Sequence, residues 1–265
     1  AHDANEELYM VELDGSKLYR LTRNPGFDGE ASWSTVLTPR DGVINNPALA
    51  YSSARFGDRD LYIANVDGSL HARVTDDPNS DRDPDWSPDG EKLTFMSNRD
   101  DSWDIYTVKV DGSNLTRLTN DGAMNGSPRW SPDGESIVFC SDRGGDMGIY
   151  FMSLNGGSAY EIDTGLSGSM FPDWSADGQK ILFASVVGLS QLELFVVNLD
   201  GTGLKQLTES GGIKLFPKWV NNPYLGMPKV PQNTSIAFAS DRNGQSEIYS
   251  MEPSGRNVVR LTHHE

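Results

Sequence analysis

The stretch Pro84-Asp85-Trp86-Ser87-Pro88-Asp89-Gly90 constrains this chain more than any other, because it returns. It recurs as Pro128-Arg129-Trp130-Ser131-Pro132-Asp133-Gly134 and as Pro172-Asp173-Trp174-Ser175-Ala176-Asp177-Gly178. Looser copies stand at Ala31-Ser32-Trp33-Ser34 and Pro217-Lys218-Trp219. An aromatic residue on a short strand followed by a Pro-Asp-Gly turn signals a β-hairpin. A hairpin that returns at a fixed period points to stacked copies of one unit.

Three more landmarks follow each Trp strand in fixed order. An apolar-aromatic strand comes first, as in Leu93-Thr94-Phe95, Ile137-Val138-Phe139 and Ile181-Leu182-Phe183. An Ile/Leu-aromatic strand then runs into a turn, as from Ile105-Tyr106 to Asp111-Gly112. A closing Leu-Thr or its equivalent falls seven residues after the start of that turn, as in Leu118-Thr119. Successive turns lie 53, 44, 44, 45 and 54 residues apart. Four short strands per repeat of that length predict propeller blades, with strands a, b, c and d in chain order. Apolar residues alternate with period two throughout, so no helix of any length is expected. The 27 Gly and 14 Pro suit many short strands joined by tight turns.

The order Trp-Ser-Pro-Asp-Gly, apolar-aromatic strand, Ser-Asp-Arg (Ser141-Asp142-Arg143, Ser240-Asp241-Arg242), Ile-Tyr, Asp-Gly-Ser and Arg-Leu-Thr resembles the TolB-type, WD-repeat-like β-propeller family. The resemblance covers nearly the whole chain. It implies a propeller fold and a periplasmic, secreted or envelope-associated location. It says little about function, since propellers host many roles.

The expected fold is all-β: one six-bladed β-propeller of four-stranded antiparallel blades, the first blade incomplete. The blades are 1–24 (partial), 25–77, 78–121, 122–165, 166–210 and 211–265. Strands a and b of blade 1 are missing, because the chain opens where strand c should begin. The apolar start of strand b falls seven residues after Trp in blades 3, 4 and 5, but 16 after it in blade 2 and 17 after it in blade 6. The two insertions, 34–46 and 220–234, are expected to flank the incomplete blade, which residues beyond either end of this sequence, the insertions themselves or a partner chain would complete; the last two routes would make this a docking side.

Loops d–a and b–c share one face and differ between blades, which is where recognition concentrates. Just before each Trp, at the expected channel mouth, stand Glu30, Asp83, Ser127, Phe171 and Phe216. These unlike side chains are candidates to hold a partner peptide, or simply fill a tapered channel. Trp103 lies off the repeat in a b–c loop and is a contact candidate, as is the apolar b–c loop of blade 5 with Val187 and Leu189. The other Trp residues are read as packing between blades. Arg55, Arg99, Arg143 and Arg242 open b–c loops and are read as ties within the fold. Asp76, Asp77, Asp81 and Asp83 make an acidic loop where calcium is possible, though the EF-hand spacing is missing.

No Gly-x-Ser-x-Gly elbow, no His pair at metal spacing and no helix-opening phosphate loop is present. No catalytic residues, metal ligands or cofactors are therefore assigned. The net charge of −16 argues against nucleic acid and anionic membrane as partners. No apolar run reaches membrane-span length. Cys140 stands alone, which rules out a disulfide within these 265 residues. These readings point to a non-enzymatic protein-interaction module, an accessory subunit of a larger envelope complex. The alternatives are a propeller hydrolase or lyase acting on sugars or peptides, and a calcium- or small-ligand-binding propeller.

Overall fold

The computed structural model describes residues 6–11, 17–34, 48–65, 69, 71–188, 191–209, 211–220 and 235–263. All regular structure among them is β. Residues 35–46 and 221–234 of the two long insertions, and Leu189, lie outside the described residues.

The architecture is an all-β propeller of four-stranded antiparallel blades. Five sheets have four strands, and each runs in chain order. They comprise β3(Asp28–Trp33) to β6(Ala72–Arg73), β7(Asp81–Trp86) to β10(Thr116–Arg117), and β11(Asn125–Trp130) to β14(Tyr160–Glu161). The last two run from β15(Met170–Trp174) to β18(Lys205–Gln206) and from β19(Lys214–Val220) to β22(Val259–Arg260). A sixth sheet has two strands, β1(Tyr9–Val11) and β2(Leu18–Arg20), in the c and d positions expected for blade 1. The chain divides into two compact units, 1–130 and 131–265.

Each sequence landmark has a bonding duty. In the Trp-Ser-Pro-Asp-Gly turn of blade 3, Ser87 Oγ donates to Asp89 at 2.6 Å and accepts from Lys92 N at 2.9 Å. Gly90 sits at φ +68°, where a side chain would be strained, and its N–H donates to Ser87 O at 2.8 Å. The closing Thr works on both sides. Ile105 N donates to Thr119 Oγ1 at 2.9 Å, and that hydroxyl donates to buried Asp104 at 2.7 Å. Arg117 completes the set with a 2.6 Å bond to Asp104. The same acid–Arg–Thr set appears as Glu7, Arg20 and Thr22, and as Glu247, Arg260 and Thr262.

The b–c arginines are ties, as the sequence suggested. Arg99 Nε donates to Ser97 Oγ at 3.0 Å, and its guanidinium lies over the stacked Phe95 and Tyr106 rings. It also bonds both oxygens of Asp81 at 2.8 Å. Arg55, Arg143 and Arg242 repeat the Ser bond and the ring contacts. A charge-assisted bond plus two cation–π contacts fixes each loop to its own blade.

Trp residues pack one blade on the next within each unit. Trp86 of blade 3 joins Ala50, Leu61, Ile63 and Val74 of blade 2 in one buried cluster. Trp174 of blade 5 joins Val138, Cys140, Ile149 and Ile162 of blade 4. Asp85 bridges blades by accepting from Trp130 N at 3.0 Å, and Asp173 accepts from Trp219 N at 2.6 Å. Trp33 departs from this pattern, at 39% exposed.

Candidate functional site

Strand a adopts the same unusual backbone conformation at the same place in every four-stranded blade. Glu30, Asp83, Ser127, Phe171 and Phe216 all adopt the left-handed backbone conformation, with φ between 49° and 56°. Four of them lie inside register shifts: Gly29/Ser32, Arg82/Asp85, Met170/Asp173 and Leu215/Lys218. Four of them also precede a proline: Pro84, Pro128, Pro172 and Pro217. Proline has no N–H for the ladder, so a bulge is the natural place for it. The conformation is costly for a residue with a side chain, and most unusual for a bulky one such as Phe. Such outliers cluster where structure serves function.

In the first unit the bulge residues form a charged network. Glu30 accepts from Ser52 Oγ at 2.6 Å, from Arg59 Nη1 at 3.0 Å and from Asp83 N at 3.2 Å. Arg59 lies over the Phe27 ring, 3.7 Å from its centroid. Asp83 accepts from Arg129 Nη2 at 2.8 Å, and Arg129 Nη1 donates to Pro128 O at 2.7 Å. Ser127 is buried. Arg82 stands beside Asp83, with its guanidinium 5.0 Å from the Trp103 ring centroid. Burial pushes the Arg82 pKa down, nearby Arg59 adds to that, and Glu30 opposes it. Thus Trp103 belongs to the bulge region of its own blade, a link the sequence did not reveal.

In the second unit the bulge residues are aromatic. Phe171 and Phe216 contact each other with ring centroids 4.5 Å apart. Phe216 is 51% exposed, while Phe171 packs partly against a buried cluster. Val187 ends the lengthened strand β16(Lys180–Val187) and packs partly against the core, leaving Val186 as the exposed neighbour.

The acidic loop is spent on arginines. Arg73 bonds Asp76 at 2.8 Å, Arg99 bonds Asp81, and Arg129 bonds Asp83. Asp77 accepts from Asn79 N at 2.9 Å. Among the described residues no group of three or more His, Cys, Asp or Glu is placed to hold a metal. His71 pairs with Tyr51 OH at 2.7 Å.

The model of the TolB beta propeller domain matches residues 34–191, more than half of the sequence. This chain belongs to the TolB β-propeller domain family. Among solved structures it is similar to TolB from Acinetobacter baumannii, at 21% identity and a TM-score of 0.77. That match covers 95% of this chain and 58% of that one, so the chain spans less than two thirds of the TolB it resembles. It is also similar to a puromycin-hydrolysing peptidase of Mycobacterium tuberculosis, at 17% identity and a TM-score of 0.63, over 96% of this chain and 42% of the peptidase. An oligogalacturonate lyase solved with manganese gives 15% identity and a TM-score of 0.59, over 97% of this chain and 73% of the lyase. At such identities the likeness is one of fold. No curated protein matches the sequence. Among the described residues no helix is long and apolar enough to cross a membrane.

Proposed function

We propose that this TolB-family chain is a non-enzymatic interaction propeller, six-bladed, serving as an accessory subunit of a protein assembly in the cell envelope. The observation that carries the reading is the repeated bulge. One strained backbone position recurs in five blades, yet it presents Glu, Asp, Ser, Phe and Phe. A purely structural device repeated five times would carry similar side chains. Unlike side chains on a fixed frame are what recognition of an asymmetric partner requires. The partner is a protein. The exposed Phe216 against Phe171 is an aromatic anchor of the kind interfaces favour.

A lyase or hydrolase reading asks for carboxylates or histidines poised for proton transfer. Here Glu30 and Asp83 are held by Arg59 and Arg129, and the described His71 is bonded to Tyr51. The envelope location rests on what the family implies.

The test is comparative capture from an envelope extract. Wild type and Phe216→Gly are each crosslinked and the captured proteins identified. A specific protein held by wild type and lost in the variant supports the reading. Equal capture by both, or turnover of peptide or oligogalacturonate substrates by the purified chain, contradicts it.

A further inference from the structure

An asparagine followed by glycine can lose its side-chain amide to attack by the glycine's own backbone nitrogen, which no Cβ obstructs. The sequence holds three such pairs: Asn125-Gly126, Asn155-Gly156 and Asn243-Gly244. A pair held by its fold reacts only while local opening releases it. Two of the three are held. Asn125 is fully buried, and its amide donates to Asp104 at 3.3 Å, to Asp121 at 3.0 Å and to Ala123 O at 3.1 Å. Asn243 Nδ2 donates to Tyr249 OH at 2.9 Å, and Gly244 N–H donates to Asp241 O at 2.7 Å.

Asn155 differs. It is exposed, in the turn that joins β13(Gly148–Ser153) to β14. Its backbone N–H reaches Ser153 Oγ at 3.4 Å, but its side chain makes no hydrogen bond among the described residues. Nor does a bond of ordinary geometry among them hold the Gly156 N–H. The matching turns of blades 3 and 5 are tied at both points. Gly112 N–H donates to Lys109 O at 2.8 Å, and Gly201 N–H to Asn198 O at 2.9 Å. Asp111 accepts from Ser113 N at 2.9 Å and from its Oγ at 2.6 Å; Asp200 accepts from Thr202 N at 3.0 Å and from its Oγ1 at 2.6 Å. Blade 4 has Gly157 where those turns have a hydroxyl. A Cβ added at Gly156 or Gly157 would meet nothing within 4 Å, so the turn has room to close a ring.

We propose that Asn155 is a self-modification site, deamidating in the folded chain while Asn125 and Asn243 stay intact. The Gly156 nitrogen gives its proton to hydroxide and attacks Asn155 Cγ. The N–Cγ bond forms, the Cγ–Nδ2 bond breaks, and Nδ2 leaves as ammonia with a proton from water. Water then opens the cyclic imide. Opening at Cγ gives aspartate. Opening at the Asn155 carbonyl carbon gives isoaspartate, in which the chain runs through the former side chain. Water is the only co-reactant, and nothing is oxidised or reduced. The aspartate product re-creates the Asp-Gly that blades 3 and 5 carry at this place. The isoaspartate product inserts a methylene into the link between β13 and β14. Either product adds a negative charge to the turn.

The test is a time course on the unaltered chain. One sample is kept folded in neutral buffer and a second is held in urea. Both are digested at intervals, and the peptides are mapped by mass spectrometry with fragmentation that separates aspartate from isoaspartate. In the folded sample Asn155 should convert at least about tenfold faster than Asn125 or Asn243, which react only while their bonds are open. In urea, where those bonds are gone, the three rates should converge. Asn155→Gln should remove most of the isoaspartate that isoaspartyl methyltransferase labels in the folded chain, and the exposed position tolerates the change. Conversion of Asn125 or Asn243 as fast as Asn155 in the folded sample overturns the proposal. So does an Asn155 that reacts in urea but is protected in the fold as strongly as the other two, or one that stays intact in both samples.

Discussion

Lys214 offers the most discriminating stability experiment. Its side chain is fully buried at the start of β19 and pairs with the equally buried Glu193 of β17(Gln191–Asn198) at 2.8 Å. It also donates to Gly212 O at 3.0 Å and Gly211 O at 3.3 Å. The pair exists because blade 5 breaks the repeat. Where blade 3 has Asp104, Arg117, Thr119 and Asn125 in contact, blade 5 has Glu193, Gln206, Thr208 and Lys214. Gln206 cannot neutralise Glu193, and Lys214 of the next blade supplies the charge. Lys214→Met therefore leaves a buried carboxylate with one hydroxyl donor. Breaking a buried pair from one side costs about 3–5 kcal/mol. Gln206→Arg with Lys214→Asn installs blade 3's arrangement and should recover most of that loss. Urea unfolding followed by circular dichroism and by tryptophan fluorescence measures all three proteins. A single-variant loss under about 1 kcal/mol would refute the reasoning, placing the pair in the range of an exposed one. So would a double variant no better than Lys214→Met.

Three further predictions follow from the fold and the bulges. Trp130→Ala removes a side chain 8% exposed and should cost about 3–5 kcal/mol, read as a lower unfolding midpoint; wild-type melting would contradict the packing role. Asp133 and Asp177 are held below the usual carboxylate range, mainly by the hydroxyls of Ser131 and Ser175 and then by the backbone N–H groups of Glu135 and Gln179. A depressed folded-state pKa gives stability that is present above the unfolded value and lost as pH falls through the folded one. Carboxyl-carbon NMR titration should show both aspartates titrating late in acid, and Ser131→Ala should move Asp133 upward while leaving Asp177 in place. Phe216→Gly removes a half-exposed ring and the strain of φ 50°, so its stability should stay within about 1 kcal/mol of wild type. A loss of several kcal/mol would mean that Phe216 serves the core.

Much of the fold is legible in the residues. The Trp-Ser-Pro-Asp-Gly turn announces itself through Gly90 and the Ser87–Asp89 bond, both local in sequence. The Ser-x-Arg of the b–c loops is an equally local signal, and the closing Thr, whose bonds span 14 and 15 residues, is repeated often enough to be trusted. The bulge positions were found by counting back from each Trp. Their left-handed conformation was not, because Glu, Asp and Phe do not advertise it as Gly or Asn would. The following prolines were the available signal, since they interrupt the ladder. The pairing of Asp83 with Arg129 joins residues 46 apart, and that of Arg82 with Trp103 joins a strand to a loop. Both depend on tertiary placement and leave no periodic trace. The Lys214–Glu193 pair was hidden for the opposite reason: it appears where the repeat fails.

Site-specific photocrosslinking tests the central claim most directly. A photoreactive phenylalanine is placed at position 216 and, in a separate protein, at position 83, and each is irradiated in an envelope preparation. The account predicts that both positions capture the same protein, and that rising salt weakens capture at position 83 more than at position 216, since only the former sits in a charged network. Adducts with unrelated proteins at the two positions, or none at either, would contradict the claim that the strand-a bulges of each unit bind a partner protein.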